Sequence, residues 1–454
     1  MSGGTVDSRL EEVARAVVGA AQGDEEIEAY VVRSRETEIK VFDGAVESLA
    51  VAEVEGVGVR VIADHRQGYA FAGSFDPDVV AETVTEARDN ASFGEPDDAF
   101  GLPRPDEVGG VTPASLDLWR EDLLAVPADR KVELALEAEA ATRGADPRIR
   151  GVESVDYGDR ALEVVVASSL GITAATRRTG CSIGASALAG EGAETQTGYG
   201  FSLGRTLTDL DVDLAARDAA TRATRLLGAR QARSRRLPVI LDPMVTRSVL
   251  ALVGAALSGE AVLKGRSMFR DRAGEDVAAP VVTIVEDPTI ADAFGAAAYD
   301  DEGVPTCRTE LVAAGRLDGF LQDVYSARRS GTTTTGSAVR GFKSTPGVGA
   351  RALHLVPGAR DQEALLGSVP EALYVQSVSG LHSGTSPVSG DFSVGAEGLM
   401  VRDGAFAEPV REVTIASTLP RMLRDVIEVG SDLTWLPGGA GVTLVVDGMT
   451  LSGS

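Results

Sequence analysis

GLHSGTSPVSGDFSVGAEGLMVRDGAFAEPVREVTI, residues 380–415, sets how the second half of the chain folds. It opens with His382, Ser383 and Gly384 among glycines, which by composition is a polar loop. From Asp391 and Phe392 the residues run extended through Met400 and Val401 to Asp403-Gly404, and a second run leads into Val413 and Ile415. Asp and Gly both tolerate positive φ, so this pair between two extended apolar runs is a strong short-range hairpin signal. The stretch predicts a loop followed by a β-hairpin.

Outward from that hairpin, strands dominate the C-terminal half. Strands are expected at 239–241, 281–285, 353–356 and 373–378. Further hairpins are expected around Ala314-Gly315 (307–313 with 319–323) and Asp447-Gly448 (442–446 with 449–451). Helices are expected at 243–257 and 420–429, and loops at 330–337 and 343–350. Residues 233–454 therefore read as a β-rich, barrel-like domain. In the N-terminal half, an amphipathic helix over 8–22 precedes a period of two from Ile27 to Arg60, turning at Asp43-Gly44 and interrupted at Gly56 and Gly58. A short strand at 69–71 precedes a helix at 77–90, with Asp76 as its cap and Pro77 in its first turn. The Pro-, Gly- and Asp-rich residues 94–117 read as a connector and candidate sub-boundary. A helix at 128–143, a meander over 152–189 and a helix at 213–227 with Leu214 inward complete an N-terminal α/β region, 1–232, with antiparallel strands. The fold class is α+β. The two N-terminal strand groups share a loose pattern, which raises an internal duplication.

Composition narrows the function. A 454-residue chain with 44% hydrophobic residues is long enough for two or three cored domains. No apolar run approaches the roughly 18–20 residues that span a bilayer, and the acidic first helix lacks the basic start of a secretory signal. Cys181 and Cys307 are too few for a disulfide framework, so a cytoplasmic location is expected. A formal net charge of −25 repels nucleic acid and anionic membranes.

The wording of the opening stretch goes further than its pattern. The His-Ser-Gly loop, then Pro-Val-Ser-Gly-Asp-Phe-Ser (387–393), then Pro-Val-Arg-Glu-Val-Thr-Ile-Ala (409–416), resembles the C-terminal signature of the TldD/PmbA family, on its PmbA (TldE) side. The segments EIKVFDGAVES and GVGVRVI resemble the family's N-terminal signature, and the resemblance covers nearly the whole chain. It implies assembly with a TldD-like subunit into a cytosolic metallopeptidase. Such complexes trim or degrade small unfolded peptides, including leaders of ribosomally made antibiotics and small antitoxins. TldD-type chains hold zinc through two histidines on one helix and a distant cysteine, while a glutamate activates the bound water. Here only His65, His354 and His382 occur, and the corresponding stretch, LALVGAALSGEAVLK at 250–264, has no histidine. The resemblance therefore implies no zinc and no catalytic residue in this chain, with zinc in the partner.

Eight residues are candidates for a substrate groove by that resemblance: Gly259, Glu260, Lys264, Arg266, His382, Ser383, Asp391 and Phe392. Glu260 and Lys264 also fit a plain i,i+4 surface pair. His382, Ser383 and Asp391 have the residue types of a hydrolase triad, but no nucleophile elbow surrounds Ser383. Cys307 and Cys181 read as small core hydrophobes. The acidic run Asp300, Asp301 and Glu302, with Glu286 and Asp287, reads as solvated turn carboxylates ahead of a hard-cation site. The threonine tract 332–335 reads as a mobile loop, placed by the resemblance where substrate enters. The alternative function is a homodimer that binds peptides or a small ligand and cleaves nothing.

Overall fold

The computed structural model describes residues 6–108 and 110–454. Helix α1 (Ser8–Gly19), capped by Asp7 through the Arg9 N–H at 3.0 Å, leads into β1 (Glu26–Phe42), β2 (Ala45–Ala63) and β3 (Arg66–Ala72). Asp43 (φ +50°) and Gly44 (φ +75°) make the first turn as their chemistry predicts. Helix α2 (Pro77–Phe93) follows, with Asp76 accepting from the Asp78 N–H at 2.9 Å. After the connector come α3 (Glu121–Ala125), α4 (Ala128–Gly144), β4 (Ile149–Ser168), β5 (Thr173–Ala189), β6 (Gln196–Gly204) and α5 (Val212–Thr224).

The six strands form one antiparallel sheet in the order β3-β2-β1-β4-β5-β6. That order mirrors itself about the β1–β4 pair: each half is a helix, a three-stranded meander and a closing helix. The same device seats both closing helices. A Cβ on Gly68 of β3 would stand 2.0 Å from the Ala87 carbonyl of α2, and one on Gly198 of β6 would stand 2.2 Å from the Ala219 carbonyl of α5. The duplication raised by the sequence therefore has a structural basis.

Odd-numbered residues of β1 face the helices. Ile27, Ala29 and Val31 pack with α1 and α2, and Ile39 and Val41 pack with α4 and α5. Even-numbered residues face away, and there Tyr30 and Val32 meet Val164, Val166 and Phe342 from the other end of the chain. Gly56 and Gly58 do not interrupt β2. They admit the Phe342 ring and the Tyr69 hydroxyl, each within 2.5 Å of where a Cβ would lie. Leu214 is a correction: it is exposed, and Ala215, Ala219 and Ala223 form the inward face of α5.

The C-terminal half runs β7 (Arg235–Leu241), α6 (Pro243–Ala256), α7 (Gly259–Leu263), β8 (Ile284–Glu286), β9 (Thr309–Ala313), β10 (Arg316–Leu317) and α8 (Val324–Ser330). It continues with β11 (Ala338–Val339), β12 (Gly347–Val348), β13 (Leu353–Leu355), α9 (Gln362–Leu366), β14 (Glu371–Ser379), β15 (Asp391–Arg402) and β16 (Ala405–Thr418). It ends with α10 (Leu419–Arg424), β17 (Val426–Val429), β18 (Thr434–Leu436), β19 (Gly439–Gly441) and β20 (Leu444–Ser452). Strands β16, β15, β14, β7 and β20 pair in sequence, and β20 pairs back to β16, which closes a five-stranded barrel. Its core holds Val239, Leu373, Phe392, Ile415 and Val446, with α6 packed through Val249 and Val253.

Three local expectations are corrected here. Residues 442–451 make no hairpin: β20 runs through Asp447-Gly448 as a bulge, because both sides of it find partners along β7. The helix expected at 420–429 stops at Arg424, because Val426, Glu428 and Val429 pair with β20. Residues 319–323 are not the second arm of a hairpin. Ala314-Gly315 turns into the two-residue β10, and Leu321 then bridges to Ser258.

Candidate functional site

The α6–α7 corner gathers the first four candidate residues. Ser258 caps α7, and the Gly259 N–H donates to the Leu321 carbonyl at 2.8 Å. A Cβ on Gly259 would lie 2.0 Å from Gln322 Oε1, so this position can carry no side chain without displacing Gln322. Glu260 pairs with Lys264 one turn on, and both are exposed enough for the pair to contribute little. Arg266 closes the corner through its N–H to the Ala261 carbonyl at 2.8 Å. The loop carrying His382 lies alongside, tied by the Met268 N–H to the Pro387 carbonyl at 3.2 Å.

That loop does not assemble a triad. His382 is exposed, and its imidazole makes no hydrogen bond or ion pair among the described residues. The Ser383 hydroxyl donates to the Gly380 carbonyl at 3.3 Å, while Asp391 accepts from the Ser389 hydroxyl at 2.6 Å. Phe392 is 1% exposed inside the barrel core, so its side chain anchors the loop from below and lines no groove. The structure thus brings seven of the eight candidates onto two adjacent segments, Gly259 buried among them, and puts the eighth, Phe392, in the barrel core.

The residues at the corner do not fit a zinc ion. The inward face of α6 is Val249, Leu250, Val253 and Ala256, and the one carboxylate on α7 is occupied by Lys264. His65 sits in the β2–β3 turn, and His354 is buried on β13 with Nδ1 2.9 Å from the Ala352 carbonyl. Among the described residues, no three His, Cys, Asp or Glu side chains converge as a metal-binding group. Cys181 is buried, which pushes its thiol up to about 12. Cys307 is half-buried, with Sγ 3.8 Å from the Thr309 hydroxyl.

The acidic run is a correction. Asp300, Glu302, Glu286 and Asp287 are buried instead of solvated. Asp300 accepts the Glu302 and Val304 N–H groups at 2.9 Å and the Ala338 N–H at 3.0 Å, while burial pushes its carboxyl up to about 8. Glu302 accepts from Arg60 at 2.9 Å and from the Val324 N–H at 3.0 Å. Arg60 also bonds Glu28 in fork fashion at 3.0 and 3.1 Å, and Glu28 meets the fully buried Arg340 at 2.8 Å. Arg340 lies over the Tyr30 ring, 4.7 Å from its centroid. These carboxylates clamp the even face of the sheet to the loops of the C-terminal half, and N–H donors hold them where a cation would otherwise sit. Sequence reasoning missed this because Arg60 and Glu302 are 242 positions apart, with no local pattern to mark the pair.

A further feature was not singled out from the sequence. β3 covers only residues 57–63 of β2, so the outer edge of residues 45–56 has no strand partner among the described residues. Leu49 and Val51 stand opposite Ile39 and Thr37 on the helix-bearing face, yet lie beyond the helices and are 46% and 50% exposed. A long apolar edge with free N–H and C=O groups is a template for another strand.

A mirrored antiparallel sheet with helices on one face, clamped on the other to the loops of a half that also holds a closed barrel, defines a two-part α+β protein. Family models agree along most of the chain: PmbA/TldA metallopeptidase domain 1 matches residues 27–91, the central domain 121–227 and the C-terminal domain 234–453. The chain belongs to the PmbA/TldD family. It is 28% identical over 427 residues to Metalloprotease PmbA of Escherichia coli O157:H7, covering 93% of this chain and 92% of that protein. It is 26% identical over 424 residues to the Metalloprotease TldD homolog of Haemophilus influenzae, covering 91% and 86%. The crystal structure of TldE from Thermococcus kodakarensis superposes with a TM-score of 0.88 at 23% identity, over 98% of this chain and 100% of that one, which shows the shared fold.

Proposed function

We propose that this chain is a PmbA/TldE-like, non-catalytic subunit of a cytosolic zinc metallopeptidase that trims or degrades small unfolded peptides. The observation that carries the reading is the α6–α7 corner, which has the family's fold and no imidazole to give a metal. On this reading a TldD-like partner supplies zinc, the activating glutamate and the water. Glu260, Lys264, Arg266, His382 and Ser383, exposed on adjoining segments, form the wall of a groove shared with that partner. The free edge of β2 supports peptide handling, since main-chain hydrogen bonds hold an extended peptide with little sequence preference. No helix among the described residues is long and apolar enough to cross a membrane.

The same free edge favours a second reading, a homodimer that binds peptides or a small ligand without cleaving them. The test is zinc content and peptide hydrolysis of the chain alone and mixed with a TldD-like homologue that carries the histidine pair. Zinc and cleavage only in the mixture support the subunit reading. No gain on mixing, with a stable homodimer that retains peptide, supports the second. Stoichiometric zinc and cleavage by this chain alone overturn both.

A further inference from the structure

The even face of the six-stranded sheet carries one cation that the ion-pair network leaves out. Arg178 on β5 stands opposite Leu162 of β4. Its neighbours are paired: Arg160 with Glu36 at 2.8 Å and Arg177 with Glu121 at 3.5 Å. Arg178 itself has no ion pair or side-chain hydrogen bond among the described residues. Beside it, the buried Arg351 binds Asp301 at 2.6 Å but leaves its Nε–H without a partner.

Both guanidinium groups line two adjoining cavities of about 280 and 290 Å³, between the sheet and the C-terminal loops. The first is walled by Leu118, Leu162, Val164, Ala296 and Ala297. Of the charged groups that line the two cavities, Arg351 is paired with Asp301, Asp117 with Arg120, Arg177 with Glu121 and Arg160 with Glu36, so Arg178 is the one left without an ion pair among the described residues, on a wall that is part polar and part apolar. Burial, with Arg351 nearby, pushes Arg178 down to about 10, which leaves it charged at neutral pH. A half-buried guanidinium without a partner at a cavity wall is a ready site for an anion, because a charge-assisted hydrogen bond would be made there.

We propose that this chamber binds a small monocarboxylate with an apolar body, the size of an acylated amino acid. The carboxylate is taken by Arg178, and the hydrocarbon lies on Leu162, Val164 and Ala296. A single uncompensated charge favours a monoanion over phosphate, whose second charge would go unmatched. The volume equals roughly nine waters at ~30 Å³ each, which suits such an acid. This site does not depend on the peptidase reading.

Titration calorimetry on the full chain with N-acetyl-leucine, N-acetyl-leucinamide and inorganic phosphate tests it. The acid binds saturably, and the amide and phosphate do not. Arg178→Gln weakens the acid by at least about tenfold, the loss of one charged hydrogen bond, with a melting temperature no lower than that of the parent chain. Leu162→Trp fills the chamber and blocks binding with Arg178 still present, which keeps the test decisive should Arg178→Gln fail to fold. Equal binding of acid and amide, preference for phosphate, binding of no probe, or wild-type affinity in either variant overturns the proposal.

Discussion

Replacing Arg60 by Met removes the cation on which two buried carboxylates converge. Arg60 is 3% exposed and holds Glu28 at 3.0 and 3.1 Å and Glu302 at 2.9 Å. In the variant Glu28 keeps Arg340, whereas Glu302 keeps only the Val324 N–H. Breaking a buried pair by removing one partner costs about 3–5 kcal/mol, because the remaining charge is uncompensated. The loss depends on pH in a defined direction. Burial already raises the Glu302 carboxyl above its ordinary value and Arg60 opposes that rise. Without Arg60 the folded-state pKa moves further above the unfolded value of about 4.3. Between those two values the folded chain binds more protons than the unfolded chain, so stability falls as pH rises through that window. The gap between wild type and variant is therefore wider at pH 8 than at pH 5, and Glu302→Gln in the Arg60→Met background recovers part of it. Urea unfolding followed by tryptophan fluorescence at the two pH values measures this. A loss below about 1 kcal/mol at pH 8, or a larger loss at pH 5, would refute the clamp between the sheet and the loops of the C-terminal half.

The mirrored sheet makes Gly68→Ala and Gly198→Ala matched perturbations. Each drives a methyl into helix backbone, at 2.0 and 2.2 Å, and is expected to lower stability by roughly 2 kcal/mol or more in denaturant melts. Under native conditions Cys307 should react with a maleimide well before Cys181, whose thiol is pushed up to about 12; mass spectrometry of the labelled chain reads the order. Val51→Lys on the exposed β2 edge should change stability by no more than about 0.5 kcal/mol, yet weaken association with a TldD-like partner or a second copy in sedimentation. A serine-directed phosphonate should leave Ser383 unlabelled, since its hydroxyl donates to the Gly380 carbonyl and no imidazole reaches it.

Three Asp-Gly pairs show what local chemistry decides. Asp43-Gly44 and Asp403-Gly404 turn hairpins, because each joins two runs that pair with one another. Asp447-Gly448 has the same turn chemistry and becomes a bulge, because β7 offers a partner to both sides of it. The candidate corner and loop were legible as wording, and their adjacency follows from one backbone hydrogen bond between Met268 and Pro387. Phe392 could not be placed from sequence, since an aromatic in an alternating strand fits a groove or a core equally well until the barrel closes around it.

Turn residues, periodicity and residue supply were enough to give the α+β class, the helix cap at Asp76, the hairpins at Asp43-Gly44 and Asp403-Gly404 and the absence of a histidine pair between residues 250 and 264. Those are short-range properties, set by backbone preference or by which atoms are present at all. The tertiary structure alone decided that Asp300 and Glu302 are buried, that Arg60 clamps two ends of the chain, that the β2 edge stays open and that Arg178 faces a chamber without a partner. A carboxylate or guanidinium has no fixed burial of its own. Its environment is set by groups that only folding brings within hydrogen-bond reach, so its state was written when the sheet met the loops of the C-terminal half.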